Sequence, residues 1–95
     1  MAYLSHEQVE ATDTARTVAD LTIPGNATHV ELQASTQQVR YTMDGSTPTQ
    51  TVGMILAVGG QPKAFLIQDL QAIIFVRGAG SNGNLELHYF AGRDI

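Results

Sequence analysis

The chain has no cysteine and no tryptophan, and only five lysines and arginines among 95 residues. Without cysteine there is no disulfide framework of the kind that staples small secreted domains. The composition fits folding in a reducing compartment. The five cations stand singly between Arg16 and Arg93, against nine carboxylates, for a net charge of −4. Phosphate backbones are held by several Lys or Arg acting together, so nucleic acid is not an expected partner. No wholly apolar run is longer than the five residues of 72–76, far below the roughly 20 residues that span a bilayer, so no membrane partner is expected either. The opening "MAYLSHEQVE" has neither a basic nor an apolar segment and does not read as a signal peptide. One domain of this size buries only about 60–65% of its unfolded surface. Such domains often gain stability by docking or by oligomerising.

What the chain does have is alternation. In "THVELQAS", Val30, Leu32 and Ala34 share one face while His29, Glu31 and Gln33 share the other. In "QVRYTM", Val39, Tyr41 and Met43 oppose Arg40 and Thr42. In "LELHYF", Leu85, Leu87 and Tyr89 oppose Glu86 and His88, and Phe90 breaks the pattern outward. A period of two with one wet face marks antiparallel sheet. "RTVADLTI" reads as an earlier strand, and "KAFLIQ" and "QAIIFVR" as strands covered on both faces. "STQQ" and Asn82-Gly83 read as hairpin connections. The fold predicted is all-β, an antiparallel β-sandwich of about seven or eight strands, with a jelly roll as one arrangement. Residues 1–15 are polar and weakly patterned and read as an N-terminal arm, with Ser5 and Gln8 suiting a helical turn. Residues 16–95 are the sandwich domain.

"TMDGSTPTQTVG" reads as a stiff corner. Asp44 accepts hydrogen bonds from backbone just ahead of it. Gly45 takes positive φ without a clash. Pro48 fixes its own φ and holds Thr47 extended. A lone carboxylate is poor for calcium, which takes about six to eight oxygens. "GAGSNG", residues 78–83, spells G-x-G-x-x-G, but a dinucleotide site needs a helix to follow, and "NLELHYF" alternates as a strand. His6, His29 and His88 lack metal-ligand spacing and read as solvated. Glu7 and Glu10 pair in sequence with nothing to bury them. Ser and Thr are plentiful, but none is set beside a His and an Asp. No catalytic residue, metal ligand or cofactor is assigned, and the chain reads as non-enzymatic. Tyr3, Leu4, Val9 and Phe90 are the candidate partner contacts.

"VRYTMDGSTPTQTVGMIL" followed by "QAIIFVRGAGSNGNLELHYF" resembles a group of short tailed-phage and prophage virion proteins. Their pattern runs R-Y-x-x-D-G-x-x-P-T, then V-G-x-x-L, then I-x-F-[IV]-R and a last strand, over residues 27–90. The resemblance implies a capsid decoration protein, or a small head- or tail-associated β-domain. It implies the major capsid protein or other virion proteins as partners, a dimer or trimer, and a place on the capsid surface after synthesis in the host cytoplasm. "YTMDGSTPT" alone is also similar to the Ig-like modules of chitobiase-type glycoside hydrolases, which implies a carbohydrate-binding or adhesive role.

Overall fold

The computed structural model of the chain describes residues 2–92. Eight strands carry it: β1 (Ala2–Ala11), β2 (Arg16–Thr17), β3 (His29–Ser35), β4 (Val39–Thr42), β5 (Met54–Leu56), β6 (Lys63–Leu66), β7 (Ile74–Arg77) and β8 (Gly83–Ala91). They form two four-stranded sheets, ordered β1-β8-β3-β6 and β2-β7-β4-β5. Every ladder between these strands is antiparallel, and a single parallel bridge joins Ala34 to Val58. The pairs β1/β8, β2/β7, β3/β6 and β4/β5 are nested. The chain is thus doubled into one long hairpin and rolled up, with alternate strand pairs laid into opposite sheets. That winding is the jelly roll, and the predicted all-β sandwich is the fold found.

The core follows the alternation. Val30, Leu32, Ala34, Val39, Tyr41, Leu85, Leu87 and Tyr89 are buried between the sheets. Phe75, Leu70, Ile73 and Ala11 complete the cluster. Fully burying a side chain of this size is worth about 1.5–3 kcal/mol, and strands 4–9 residues long can supply it only by alternating strictly. β7 is central and buries both Phe75 and Val76, on opposite faces, as predicted. β6 is not covered on both sides. It is an edge strand and its residues are largely exposed.

Four local expectations give way. Residues 2–11 are not an arm carrying a helical turn but the ten-residue strand β1. β8 supplies the apolar surface that β1 lacks, along a register from Ala2↔Ala91 to Ala11↔Gly83 with a bulge between Tyr3 and Ser5. The "RTVADLTI" strand stops after Thr17, whose side chain caps a 3-10 turn over Val18–Asp20. The Asp20 carboxylate accepts the Thr17 N–H in return at 3.0 Å, and this reciprocal capping outcompetes the ladder. "KAFLIQ" ends in the one-turn helix α1 (Ile67–Leu70), which buries Leu70. Neither "STQQ" nor Asn82-Gly83 closes a hairpin, because β3 and β4, like β7 and β8, lie in different sheets.

Those two connections cross the same end of the sandwich and touch. Thr36 takes φ +73 as the chain leaves β3, a rare conformation for a β-branched residue, and its hydroxyl accepts from Asn84 Nδ2 at 3.1 Å. Gln38 reaches over to donate to the Gly78 carbonyl. A Cβ on Gly83 would lie 2.6 Å from the Gln37 carbonyl oxygen. Gly83 is therefore required by backbone packing, and it opens a strand. Gly83→Ala should lower stability by about 1–3 kcal/mol through overpacking, read as a reduced urea midpoint with an unchanged slope.

One polar contact is built into the interior. Tyr89 is fully buried and its hydroxyl donates to Glu7 Oε2 at 2.6 Å. The same oxygen accepts the Thr22 N–H at 2.8 Å. Burial, then the hydrogen bond and charge of Glu7, push the phenol far above its ordinary range. Glu7 and Glu10 thus part company: an odd spacing puts Glu7 on the inner face of β1 and Glu10 on the outer. Tyr89→Phe keeps the ring and removes one hydrogen bond to a charged group, so it should cost about 1.5–3 kcal/mol, measured by urea unfolding at neutral pH.

Candidate interaction surface

The outer face of the β1-β8-β3-β6 sheet gathers the rings that point away from the core. β1 and β8 place His6 opposite His88 and Tyr3 opposite Phe90. The Tyr3 ring meets His88 edge-on at 5.3 Å between centroids and Phe90 at 5.9 Å. His6 meets His88 at 5.1 Å. Tyr3 remains 55% exposed. Edge-to-face pairs of this kind are worth about 0.5–1.5 kcal/mol beyond area burial, so the rings hold one another in place on an otherwise wet face.

Beside the rings lies a carboxylate held by three donors. Glu86 Oε1 pairs with His6 Nε2 at 2.7 Å. Glu86 Oε2 accepts from Gln8 Nε2 and from Ser35 Oγ, both at 2.6 Å. Partial burial pushes the Glu86 carboxyl up. The hydrogen bonds from Ser35, Gln8 and His6, with the His6 charge, outweigh it and leave the group below its ordinary value. Glu86, His88, Glu31, Gln33 and Pro62 line a shallow cleft next to the aromatic group. Because β1, β8 and β3 are hydrogen-bonded neighbours, these side chains are fixed by the sheet itself.

Of the predicted partner contacts, Tyr3 and Phe90 meet on this surface. Leu4, at the β1 bulge, and Val9 turn the other way and pack against the core. His88 is exposed as predicted. His29 is not solvated but only 8% exposed. Its register neighbours Leu66 and Phe90 flank it on the same face, and its Nδ1 lies 2.7 Å from Thr28 Oγ1. The imidazole that His88 meets belongs to His6, on a strand that weak patterning had hidden.

The predicted corner is the closed end of the long hairpin, residues 43–53, joining β4 to β5. Asp44 Oδ1 accepts from Ser46 N at 3.0 Å and Ser46 Oγ at 2.6 Å. Those two bonds hold its carboxyl below the usual range. Thr42 Oγ1 donates to the Ser46 carbonyl. Gly45 has φ +86. Pro48 is buried, and with Val76 it borders a cleft on the outer face of the β2-β7-β4-β5 sheet. Thr47 is exposed and adds no side-chain hydrogen bond among the described residues, where Thr49 does, accepting from Thr51 N and Val52 N. The corner and the aromatic face belong to different sheets and do not form one site. Among the described residues no group of three or more His, Asp or Glu is placed to hold a metal ion.

No protein family, curated protein or solved structure matches this chain.

A group whose carboxyl is lowered on folding adds stability above the unfolded carboxylate pKa, near 4.3, and loses it as pH falls through the lowered value. Glu86→Ala removes the acceptor shared by His6, Gln8 and Ser35 and should cost about 1–3 kcal/mol at pH 7. The gap between wild type and variant should close as pH drops below the carboxylate range, in urea titrations run at several pH values.

Proposed function

We propose that this chain is a non-enzymatic virion structural protein, a capsid decoration protein that binds neighbouring major capsid proteins and stabilises the head by burying surface. Its place is then the capsid surface of a tailed phage. The observation that carries the reading is the aromatic group of Tyr3, His88 and Phe90 on a rigid sheet face, with Glu86, Gln8, Glu31 and Gln33 around it. Aromatic anchors inside a polar surround are the anatomy of a protein-binding surface. The pattern by which residues 27–90 resemble short phage virion proteins supports a virion protein as the partner. Tyr3 and Phe90 are the anchors, and the carboxylates and amides orient the partner.

One observation favours a second reading, a carbohydrate-binding or adhesive module. An exposed tyrosine stands beside a cleft lined with carboxylate, amide and imidazole groups, and such groups can also take a sugar ring and its hydroxyls.

The decoration reading predicts that the chain co-sediments with phage heads stripped of it, at hundreds of copies per particle by quantitative mass spectrometry. Tyr3→Ala and Phe90→Ala should each weaken retention about thirtyfold, the effect of losing a contact worth about 2 kcal/mol. Failure to bind heads, with saturable binding to an oligosaccharide in solution, would move the assignment to the second reading.

A further inference from the structure

The seam between β3 and the edge strand β6 holds a second cleft, which the aromatic group only borders. Its volume is about 190 Å³, and His29, Glu31, Ala64, Leu66 and Phe90 are among the residues that line it. Register sets its shape. Phe90, His29 and Leu66 stand in one row across β8, β3 and β6, and His88, Glu31 and Ala64 in the next. Ala64 is the small member that leaves the hollow. The polar groups of the cleft are acceptors. Thr28 Oγ1 lies 2.8 Å from the Gly92 carbonyl oxygen and 2.7 Å from His29 Nδ1. A carbonyl only accepts, and a hydroxyl has a single proton to give. That proton goes to Gly92, so the neutral imidazole donates from Nδ1 and keeps Nε2 as a bare acceptor. His29 is more than nine-tenths buried, and Nε2 has no partner among the described residues. Such an atom calls for a donor. Glu31, two residues on along the same face, likewise makes no side-chain hydrogen bond or ion pair among the described residues. Lys63 is the only lysine or arginine in the four strands of this sheet. Its pairing with Leu32 turns it to the other face of β6.

We infer that this cleft binds an arginine side chain of a protein partner. A guanidinium is all donors, with no acceptor and a fixed positive charge, so it answers two unpartnered acceptors and leaves nothing unpaired. Its stem lies along Ala64 and Leu66 as long charged side chains do on apolar surface, and its plane stacks on the Phe90 ring. An anion meets Glu31 and a chain of net charge −4, and is repelled. A lysine ammonium is a compact point charge, whereas His29 and Glu31 stand about 6.5 Å apart along their strand, a spacing that suits a fork. No third His, Asp or Glu joins them to hold a metal ion among the described residues. The cleft meets the aromatic group at Phe90, whose ring touches Tyr3, so the arginine enters beside the proposed anchors. Which protein supplies it rests on the virion reading, while the choice of arginine rests on the cleft alone.

The test is an NMR titration of the isotope-labelled full chain with arginine blocked at both ends, so that only the guanidinium is charged. Shifts should saturate at His29, Glu31, Ala64 and Leu66 and stay absent from the corner of residues 43–53. Blocked citrulline, which has the shape of arginine without its charge, should shift nothing at the same concentration, and blocked lysine should bind more weakly. Glu31→Gln should weaken arginine binding by about tenfold or more, the loss of a hydrogen bond between charged groups, with an unchanged far-UV spectrum. The His29 ring nitrogens give a second readout. In the free protein the proton should sit on Nδ1, and the Nε2 resonance should move as arginine is added. Citrulline or lysine binding as tightly as arginine, undiminished binding by Glu31→Gln, an Nε2–H tautomer, or no saturable shift in the cleft would each overturn the inference. Sedimentation with stripped heads separates it from the reading it builds on. Heads bound by a chain that takes no arginine leave the virion reading standing without this site, and arginine bound by a chain that ignores heads does the reverse. Loss of both in Glu31→Gln supports the two together.

Discussion

Everything in this molecule depends on one pairing, the ladder between the first strand and the last. β8 lies between β1 and β3, and its inner residues Leu85, Leu87 and Tyr89 are completely buried. Each neighbour is needed. β3 brings the apolar wall of Val30, Leu32 and Ala34, and β1 covers the remaining edge from Ala2 to Ala11. The nested order follows from that closure. Inside the joined ends, β2 takes β7 as its nested partner, β3 takes β6, and β4 turns back on β5 through the corner of residues 43–53. A stiff, internally hydrogen-bonded corner suits the tip of such a hairpin, where slack would let the register of both arms slide.

The parts of this fold that could be read from the amino-acid order are those where one strand face is apolar by itself. β3, β4 and β8 alternate without interruption, so their elements, their buried faces and the sandwich they imply were legible. β1 was not, because its inward residues include Ser5 and Glu7. Polar groups there make sense only when Tyr89 and Thr22 are seen to reach the Glu7 carboxylate. β2 looks longer in the sequence than it is because the capping pair of Thr17 and Asp20, which ends it, sits in a stretch that alternates like a strand. The two crossings between sheets looked like hairpin loops because length and turn chemistry cannot tell a return within one sheet from a step to the other.

The same reasoning bears on the surface. Phe90 stands out because it breaks its strand's alternation, and Tyr3 because it is one of the few large apolar residues near the start, each by itself. What brought them together, with His6, His88 and Glu86, was the register of β1 on β8, and no local pattern encodes a register between residues eighty positions apart. Leu4 and Val9 had the same appeal in the sequence but are turned inward by the bulge and by strand parity. The glycine-rich stretch shows the converse. Its spelling suggests a ligand, while the space around Gly83 is filled by the backbone of Gln37.

The partner of β1 is also the last strand of this fold in chain order. The Ala2↔Ala91 match joins the first strand of the fold to its last, so the sandwich cannot close until β8 has been made, and folding of so non-local a topology is slow. During that wait the leading strand hangs free. Its polar inner residues then act as protection, because a nascent segment carrying Ser5 and Glu7 in place of two aliphatics offers little for a neighbouring unfinished chain to stick to.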